Sequence, residues 1–390
     1  MKRIAIINQR YGFEVNGGSE YYTRLIAERL NDRYQVDVLT TCALDYSTWE
    51  NFYPEGTQKV GEVTVKRFPV KQKRRKLQFG IISKVVSSMP CHISWLENYW
   101  LKKQGPFCPD LVQYIIENKN EYDAFIFVTY LYYTTACAIT QVADKSILIP
   151  TAHDEPYIYF KTYKKIFQKP KAIVYLTEEE KGFVNELFHN QKIPHKVLGI
   201  GVDIPTVINV EQFRRKFQIK ENYVIYVGRV DESKNCKNMI DDFISYKKAY
   251  PGELKLLIIG KSLMDLPTCS EIKYLGFVEE EDKFNAIAGA RALIMPSKYE
   301  SLSISVLEAF AIGVPVLVNG WCEVLKAHCI KSNAGYYYTN EIEFCDALNE
   351  LQRDNCSYKQ MCINAKKYVE NNYQWTGIMD AYQELIELKN

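Results

Sequence analysis

The segment from Glu300 to Val316, ESLSISVLEAFAIGVPV, sets two carboxylates eight positions apart, behind the apolar run Ala292–Met295 and a turn at Pro296–Ser297. A strand there delivers Glu300 to a loop at its carboxyl end. The pattern predicts a helix from Ser301, with Leu302 and Ser303 in its first turn, whose unsatisfied N–H groups attract an anion or a polar sugar. Glu308 follows about two turns later, so the two carboxylates are expected to face one ligand at different depths, one at a sugar ring and the other at a ribose. A second run, YVGRVDESKN from Tyr226 to Asn235, throws Gly228, Arg229 and Lys234 off the end of another strand. Two fixed cations there suit a polyanion whose charge grows as a bond breaks.

Two weaker arrangements lie nearer the start. Asn16-Gly17-Gly18-Ser19-Glu20 joins the first apolar run to a segment of helical period ending at Leu30. Paired glycines admit a ligand close to the backbone, and the helix start beyond them favours phosphate, although a glycine turn capped by Ser19 explains the same residues. His153, in PTAHDEP, directly follows the run Ser146–Ile149 and has Asp154 and Glu155 beside it. Either acid is a candidate for contact with an acceptor, and the sequence does not separate them.

Short apolar runs alternate with longer helical segments, the pattern of parallel sheets covered on both faces. Strands are expected at Ile4–Ile7, Val36–Leu39, Val63–Phe68, Ala124–Val128, Ser146–Ile149, Ala172–Tyr175 and Lys196–Leu198. The pattern restarts near residue 222, with strands at Tyr223–Val227, Lys255–Ile259, Ile272–Leu275, Ala292–Met295 and Pro315–Val318. The expected fold class is α/β: two doubly wound, Rossmann-like domains, residues 1–205 and 206–372, facing each other across a cleft. The last helical stretch, 373–390, is expected to return to the first domain. Ligand loops belong at the carboxyl ends of such strands.

The 390 residues carry a formal net charge of only +2, so the chain as a whole is no trap for nucleic acid. Eleven dispersed cysteines, with no Cys-x-x-Cys pair, fit reduced thiols. The apolar run after Met1 is too short for a signal peptide, and no run is long enough to span a membrane. A cytoplasmic protein is expected. Between Lys66 and Lys84 there are eight Lys or Arg and no acid, followed by an aromatic run with Trp95, Tyr99 and Trp100. This stretch reads either as a solvated insertion or as an acceptor or anionic-membrane contact, with Trp95 and Trp100 as acceptor candidates.

The Glu300–Val316 segment resembles the Glu-x7-Glu signature of GT-B glycosyltransferases of family GT4, and further matches extend over nearly the whole chain. Gly228 to Asn235 resembles the family's Gly-Arg-x4-Lys-Gly segment, with Asn235 where glycine is usual. The resemblance implies a retaining transferase using a UDP- or GDP-linked sugar, with Arg229 and Lys234 meeting the donor diphosphate and the Gly17-Gly18 loop set against diphosphate or acceptor. It implies that His153 contacts the transferred sugar and that the Gly276-Phe277-Val278 turn reads the nucleobase. It also gives looser roles to Thr177-Glu178 and to the segment around Cys322, which reads equally as an inert buried thiol. The implied acceptor is a saccharide or lipid-linked saccharide, in surface-polysaccharide or glycoconjugate synthesis. No cofactor is expected, and without Asp-x-Asp or zinc spacing no metal is expected either. Two other readings use the same residues: a sugar-nucleotide epimerase, and a non-catalytic nucleotide-sugar-binding subunit. The sequence leaves the oligomeric state open.

Overall fold

The computed structural model describes residues 1–15, 17–88 and 93–388. The chain divides into two compact units, Met1–Gly199 with Thr376–Asn390, and Ile200–Trp375. The divisions thus fall a few residues from those expected after positions 205 and 372.

In the first unit the strands are β1 (Arg3–Ile7), β2 (Gln35–Thr41), β3 (Gly56–Val60), β4 (Val63–Phe68), β5 (Ala124–Val128), β6 (Ser146–Ile149), β7 (Ala172–Tyr175) and β8 (His195–Val197). They form one sheet in the order β3-β4-β2-β1-β5-β6-β7-β8. Only β3 and β4 pair antiparallel; every other neighbouring pair is parallel. The runs AFIFV, SILI and AIVY of β5, β6 and β7 are buried along their full length, as both-face coverage demands.

Strand β3 was not expected, because GTQKV has little apolar content and lies at the exposed sheet edge. Its signal is the turn instead: Gly61 and Glu62 separate it from β4, with Gly61 at φ 57°, suited to a two-residue hairpin. The final helix, Trp375–Glu387, supplies residues to the first unit's packing. The Tyr22 and Tyr382 hydroxyls lie 2.7 Å apart in the interior, and Arg33 donates to Asp380 at 2.7 Å.

The second unit contains β9 (Tyr223–Val227), β10 (Lys255–Ile259), β11 (Ile272–Gly276), β12 (Leu293–Met295), β13 (Val316–Asn319) and β14 (Gly335–Tyr338). The order is β11-β10-β9-β12-β13-β14 and every pairing is parallel. Strand β14, absent from the sequence reading, is an edge strand of three tyrosines of which only Tyr338 is buried. The chain leaves β9 toward β10 on one side and later fills β12 on the other, which makes the β9/β12 boundary the topological switch point.

Between β4 and β5 run the helices Lys76–Ser88 and Ser94–Gln104. Trp100 lies on the second and is wholly buried, its indole N–H donating to Ser83 Oγ at 2.9 Å and its ring stacked on Tyr157. The expectation that Trp100 contacts an acceptor is therefore corrected: its ring belongs to the core. Trp95, on the same helix, is 70% exposed.

These positions separate in a stability measurement. Trp100→Ala is expected to cost about 3–5 kcal/mol in urea unfolding, from lost burial and the cavity left behind. Trp95→Ala is expected to change stability by no more than about 0.5 kcal/mol. Equal effects would contradict the packing described.

Candidate functional site

At the switch point of the second unit, the loop after β9 and the loop after β12 meet through one ion pair. Lys234 Nζ donates to Glu300 Oε1 at 2.6 Å, with the two side chains 28% and 14% exposed. A cation and a carboxylate that the sequence set 66 positions apart are thus brought together at the ends of adjacent strands.

Asp231 organises the first of these loops. Its carboxylate accepts from the Lys234 N–H at 2.9 Å, from Ser233 Oγ at 2.7 Å and from the Arg229 guanidinium. Burial works against the charge of Asp231, but the Ser233 hydroxyl, the Arg229 cation and the Lys234 N–H outweigh it and hold the carboxyl below its ordinary value. Asn235, where the resembling family has glycine, sits at φ 60°, ψ 24°. Asparagine tolerates that left-handed conformation, so the loop keeps its turn, and Asn235 Nδ2 also donates to Pro296 O at 3.2 Å. Gly228 packs against Gly260 so closely that a Cβ on Gly260 would stand 1.9 Å from the Gly228 carbonyl oxygen.

The helix after Glu300 begins at Ile304, three residues later than the sequence suggests. Its N-cap, Ser303, has φ 67°, which no right-handed helix accommodates, so Ser301 and Leu302 belong to the loop. Glu300 and Glu308 therefore do not share a helix. Glu308 is 4% exposed and paired with Lys283 Nζ at 2.6 Å. Burial raises its carboxyl pKa, against the pull of Lys283.

A residue that sequence reasoning missed holds the Glu300 loop. His328 is buried; its Nε2 lies 2.8 Å from the Leu302 carbonyl and its Nδ1 3.1 Å from the Tyr368 hydroxyl. A carbonyl only accepts, so the ring hydrogen sits on Nε2. No short motif marks this histidine. Cys322 is buried with its Sγ 3.9 Å from the Glu300 carbonyl, and burial pushes its thiol up. Phe277, by contrast, is 69% exposed just beyond β11, with Val278 half-buried beside it.

In the first unit the helix after β1 is Gly18–Leu30 with Gly17, not Ser19, at the N-cap; Asn16 of that motif lies outside the described residues. Glu20 explains the glycine, because a Cβ on Gly17 would fall 2.1 Å from its carboxylate. That carboxylate accepts from Arg10 NH2 at 2.6 Å and from Gln9 Nε2 at 2.9 Å, all three residues being buried.

His153 follows β6, with its Nε2 3.8 Å from Glu155 and its side chain 30% exposed. Glu155 accepts from the Tyr130 hydroxyl at 2.6 Å, and Asp154 from the Tyr159 hydroxyl at 2.7 Å. Beneath this loop lies a second missed residue, Glu180, in the first turn of the helix Glu178–Phe188. It is buried, and its two oxygens accept from Ala152 N at 2.5 Å and Leu176 N at 2.6 Å. The signal for it was Thr177-x-x-Glu180: Thr177 caps that helix, accepting from Glu180 N at 3.1 Å.

The basic run divides between interior and surface. Arg67 is buried with its guanidinium 3.8 Å from the centre of the Tyr53 ring, Arg74 binds the Gln104 carbonyl, and Lys66 donates to the Tyr114 hydroxyl at 2.6 Å. Lys71 pairs with Asp110 and Lys73 with Glu50. Lys71, Lys73, Arg75, Lys76 and Lys84 are exposed. Among the described residues no three His, Cys, Asp or Glu gather as a metal would require, and no helix is long and apolar enough to cross a membrane.

Residues 209–368 match the family described as "Glycosyl transferases group 1". An uncharacterized glycosyltransferase of Methanocaldococcus jannaschii is 26% identical over 59% of this chain and 62% of its own length. The processive diacylglycerol alpha-glucosyltransferase of Acholeplasma laidlawii is 28% identical over 59% of this chain and 73% of its own. Among solved structures, Anabaena HepE in complex with UDP and glucose is similar with a TM-score of 0.72 and 15% identity, covering all of both chains. That likeness gives the fold, GT-B, built from two Rossmann-like domains.

Glu180 makes stability depend on pH. Burial pushes its carboxyl up to about 8, although the N–H bonds from Leu176 and Ala152 pull the other way. The folded state holds this proton more tightly than the unfolded chain. The stabilisation is therefore complete below the ordinary carboxyl range and is lost as pH rises through about 8. Glu180→Gln removes the effect, so its melting temperature is expected to gain on that of the parent as pH is raised from about 5 to about 8.5. Parallel melting curves against pH would contradict this.

Proposed function

We propose, from the match of residues 209–368 to the group 1 glycosyltransferases, that this chain moves a sugar from a nucleoside-diphosphate donor to a hydroxyl of a saccharide or lipid-linked acceptor. The configuration at the anomeric carbon is retained and no catalytic metal takes part. The observation that carries this reading is the Lys234–Glu300 pair at the β9/β12 switch point, with Arg229 on the same loop.

Before donor binds, the two charges neutralise each other. A diphosphate competes for Lys234 and Arg229, leaving the Glu300 carboxylate to accept from hydroxyls of the sugar. As the bond from the anomeric carbon to the phosphate oxygen breaks, the two cations stabilise the charge on the leaving diphosphate. The acceptor oxygen bonds to the same face of that carbon, and its proton passes to the departing phosphate oxygen. Phe277 and Val278 meet the base, Glu308 the ribose, and His153 the transferred sugar, roles brought from the family resemblance. The UDP and glucose bound by HepE make UDP-glucose the first donor to try.

We propose further that the acceptor side works at the inner face of an anionic membrane. On the helix Lys76–Ser88, Leu77, Ile81 and Val85 recur every four residues and are 86%, 67% and 47% exposed. Arg75, Lys76 and Lys84 flank that stripe, and the helix contains no acid. Trp95 and Tyr99 stand exposed on the neighbouring helix with Lys102 and Lys103 beyond them. Apolar side chains within a ring of cations suit an anionic lipid surface.

Two measurements test these readings. In a thermal-shift panel of UDP, GDP, ADP and their common sugars, one nucleotide family is expected to raise the melting temperature. Ligand at 100 times its Kd adds about 2.7 kcal/mol. With that donor, Lys234→Ala and Glu300→Ala are expected to lower kcat by at least about 100-fold while folding stays intact. Unchanged turnover in either variant, or no nucleotide binding at millimolar concentration, would overturn the assignment.

For the membrane contact, the chain is expected to float with phosphatidylglycerol vesicles and not with phosphatidylcholine. Leu77→Glu with Ile81→Glu should abolish flotation. Binding that survives those changes, or none to anionic vesicles at low salt, would exclude this helix as the contact.

A further inference from the structure

We infer that Glu180 is the positioning residue for the His153 loop: its two carboxyl oxygens clamp the backbone on which His153 is carried. The inference rests on the reading that His153 touches the transferred sugar.

Parallel strands β6 and β7 are paired through Ile147 with Ala172 and Leu148 with Ile173, and their chains continue past the ladder. The register between β6 and β7 ends at Leu148 and Ile173, and Ala152 and Leu176 lie beyond it. Glu180 bridges the two, one oxygen on Leu176 N, directly after β7, and the other on Ala152 N, three residues after β6. Ala152 is the residue before His153, so this bond fixes the peptide that leads into the histidine.

The same loop is held in an uncommon shape. Thr151 has φ 51° and Thr129, after the neighbouring strand β5, has φ 70°. Both are β-branched residues in the left-handed region, and their hydroxyls bond each other at 3.1 Å. Such a conformation persists only where the surroundings over-determine it, and strained residues concentrate where geometry matters for function. The Ala152–Glu180 bond adjoins Thr151 and supplies that constraint. After it, the His153 carbonyl accepts from Glu155 N at 2.8 Å, which closes the turn and brings Glu155 beside the imidazole.

Each carboxyl oxygen keeps a lone pair for an N–H whether or not the group is protonated, since a hydroxyl oxygen accepts as well as donates. A glutamine of the same size offers one acceptor and one donor, and the donor faces an N–H group in either orientation. Glu180→Gln should therefore release one of the two chain segments without opening a cavity.

The test has two arms. In amide hydrogen exchange on the full chain without ligand, Glu180→Gln is expected to speed exchange at Ala152 and His153 by at least about tenfold, leaving the interior of the helix Glu178–Phe188 unchanged. Unaltered exchange at Ala152, or equal loss of protection throughout that helix, would overturn the clamp. In turnover with UDP-glucose, or whichever donor the thermal-shift panel selects, Glu180→Gln is expected to lower kcat about tenfold or more with donor KM little changed. The double variant with His153→Ala should be no slower than His153→Ala alone. Full turnover in Glu180→Gln beside an inactive His153→Ala would sink the positioning role. An unimpaired His153→Ala would instead remove the role given to His153, while the exchange arm still decides the clamp. Should Glu180→Gln fold poorly, the pair is compared in a Thr151→Gly background, where the left-handed conformation carries no penalty.

Discussion

A parallel strand cannot be reached through a tight turn. The chain must cross back outside the sheet before it can run in the same direction again. Every neighbouring pair in the second unit is parallel, and all but one in the first, so each sheet gathers the carboxyl ends of its parallel strands at one edge. At β9 and β12 the connections depart to opposite sides, and the loops beyond those strand ends are free of a crossover between them. The Lys234–Glu300 pair occupies that place. Charges carried by separate loops stand 2.6 Å apart because those loops leave the ends of adjacent strands.

Loops at such an edge lack the ladder that satisfies the strands, and buried polar side chains replace it. Asp231 holds the Lys234 backbone, His328 the Leu302 carbonyl, and Asn235 with Asn319 the Pro296 carbonyl. In the first unit Glu180 does the same for Ala152 and Leu176, and Glu20 binds Arg10 and Gln9 below the Gly17 turn. These groups are expensive to bury without partners, so their bonds restrict the loops to few conformations. Arrangement of a reacting ligand demands that restriction before the ligand arrives.

The basic run illustrates how charge in a sequence divides between structure and surface. Arg67 is buried and Arg74 half-buried, where ring faces and carbonyls receive them, and burial lowers the Arg74 pKa to about 10. Of the cations left at the surface, Lys71 and Lys73 are paired with acids, and Arg75, Lys76 and Lys84 flank one apolar stripe.

By itself the sequence determined the two sheets and most of their strands. Burying a parallel strand on both faces requires an unbroken apolar run, and AFIFV, SILI, AIVY and YVIYV are such runs. It also supplied the charged residues beyond β9 and β12, because a motif of fixed spacing is local. The edge strands β3 and β14 escaped it, β3 for want of an apolar run and β14 because its run is only three tyrosines long, and so did the late helix start at Ile304, which turns on the left-handed Ser303. Only the tertiary structure decided that Trp100 is core while Trp95 is surface, that Glu308 is paired with Lys283, and that His328 and Glu180 hold the loops. Each of those outcomes depends on a partner distant in the chain, and spacing along a sequence carries no record of which distant groups a fold will bring within bonding distance.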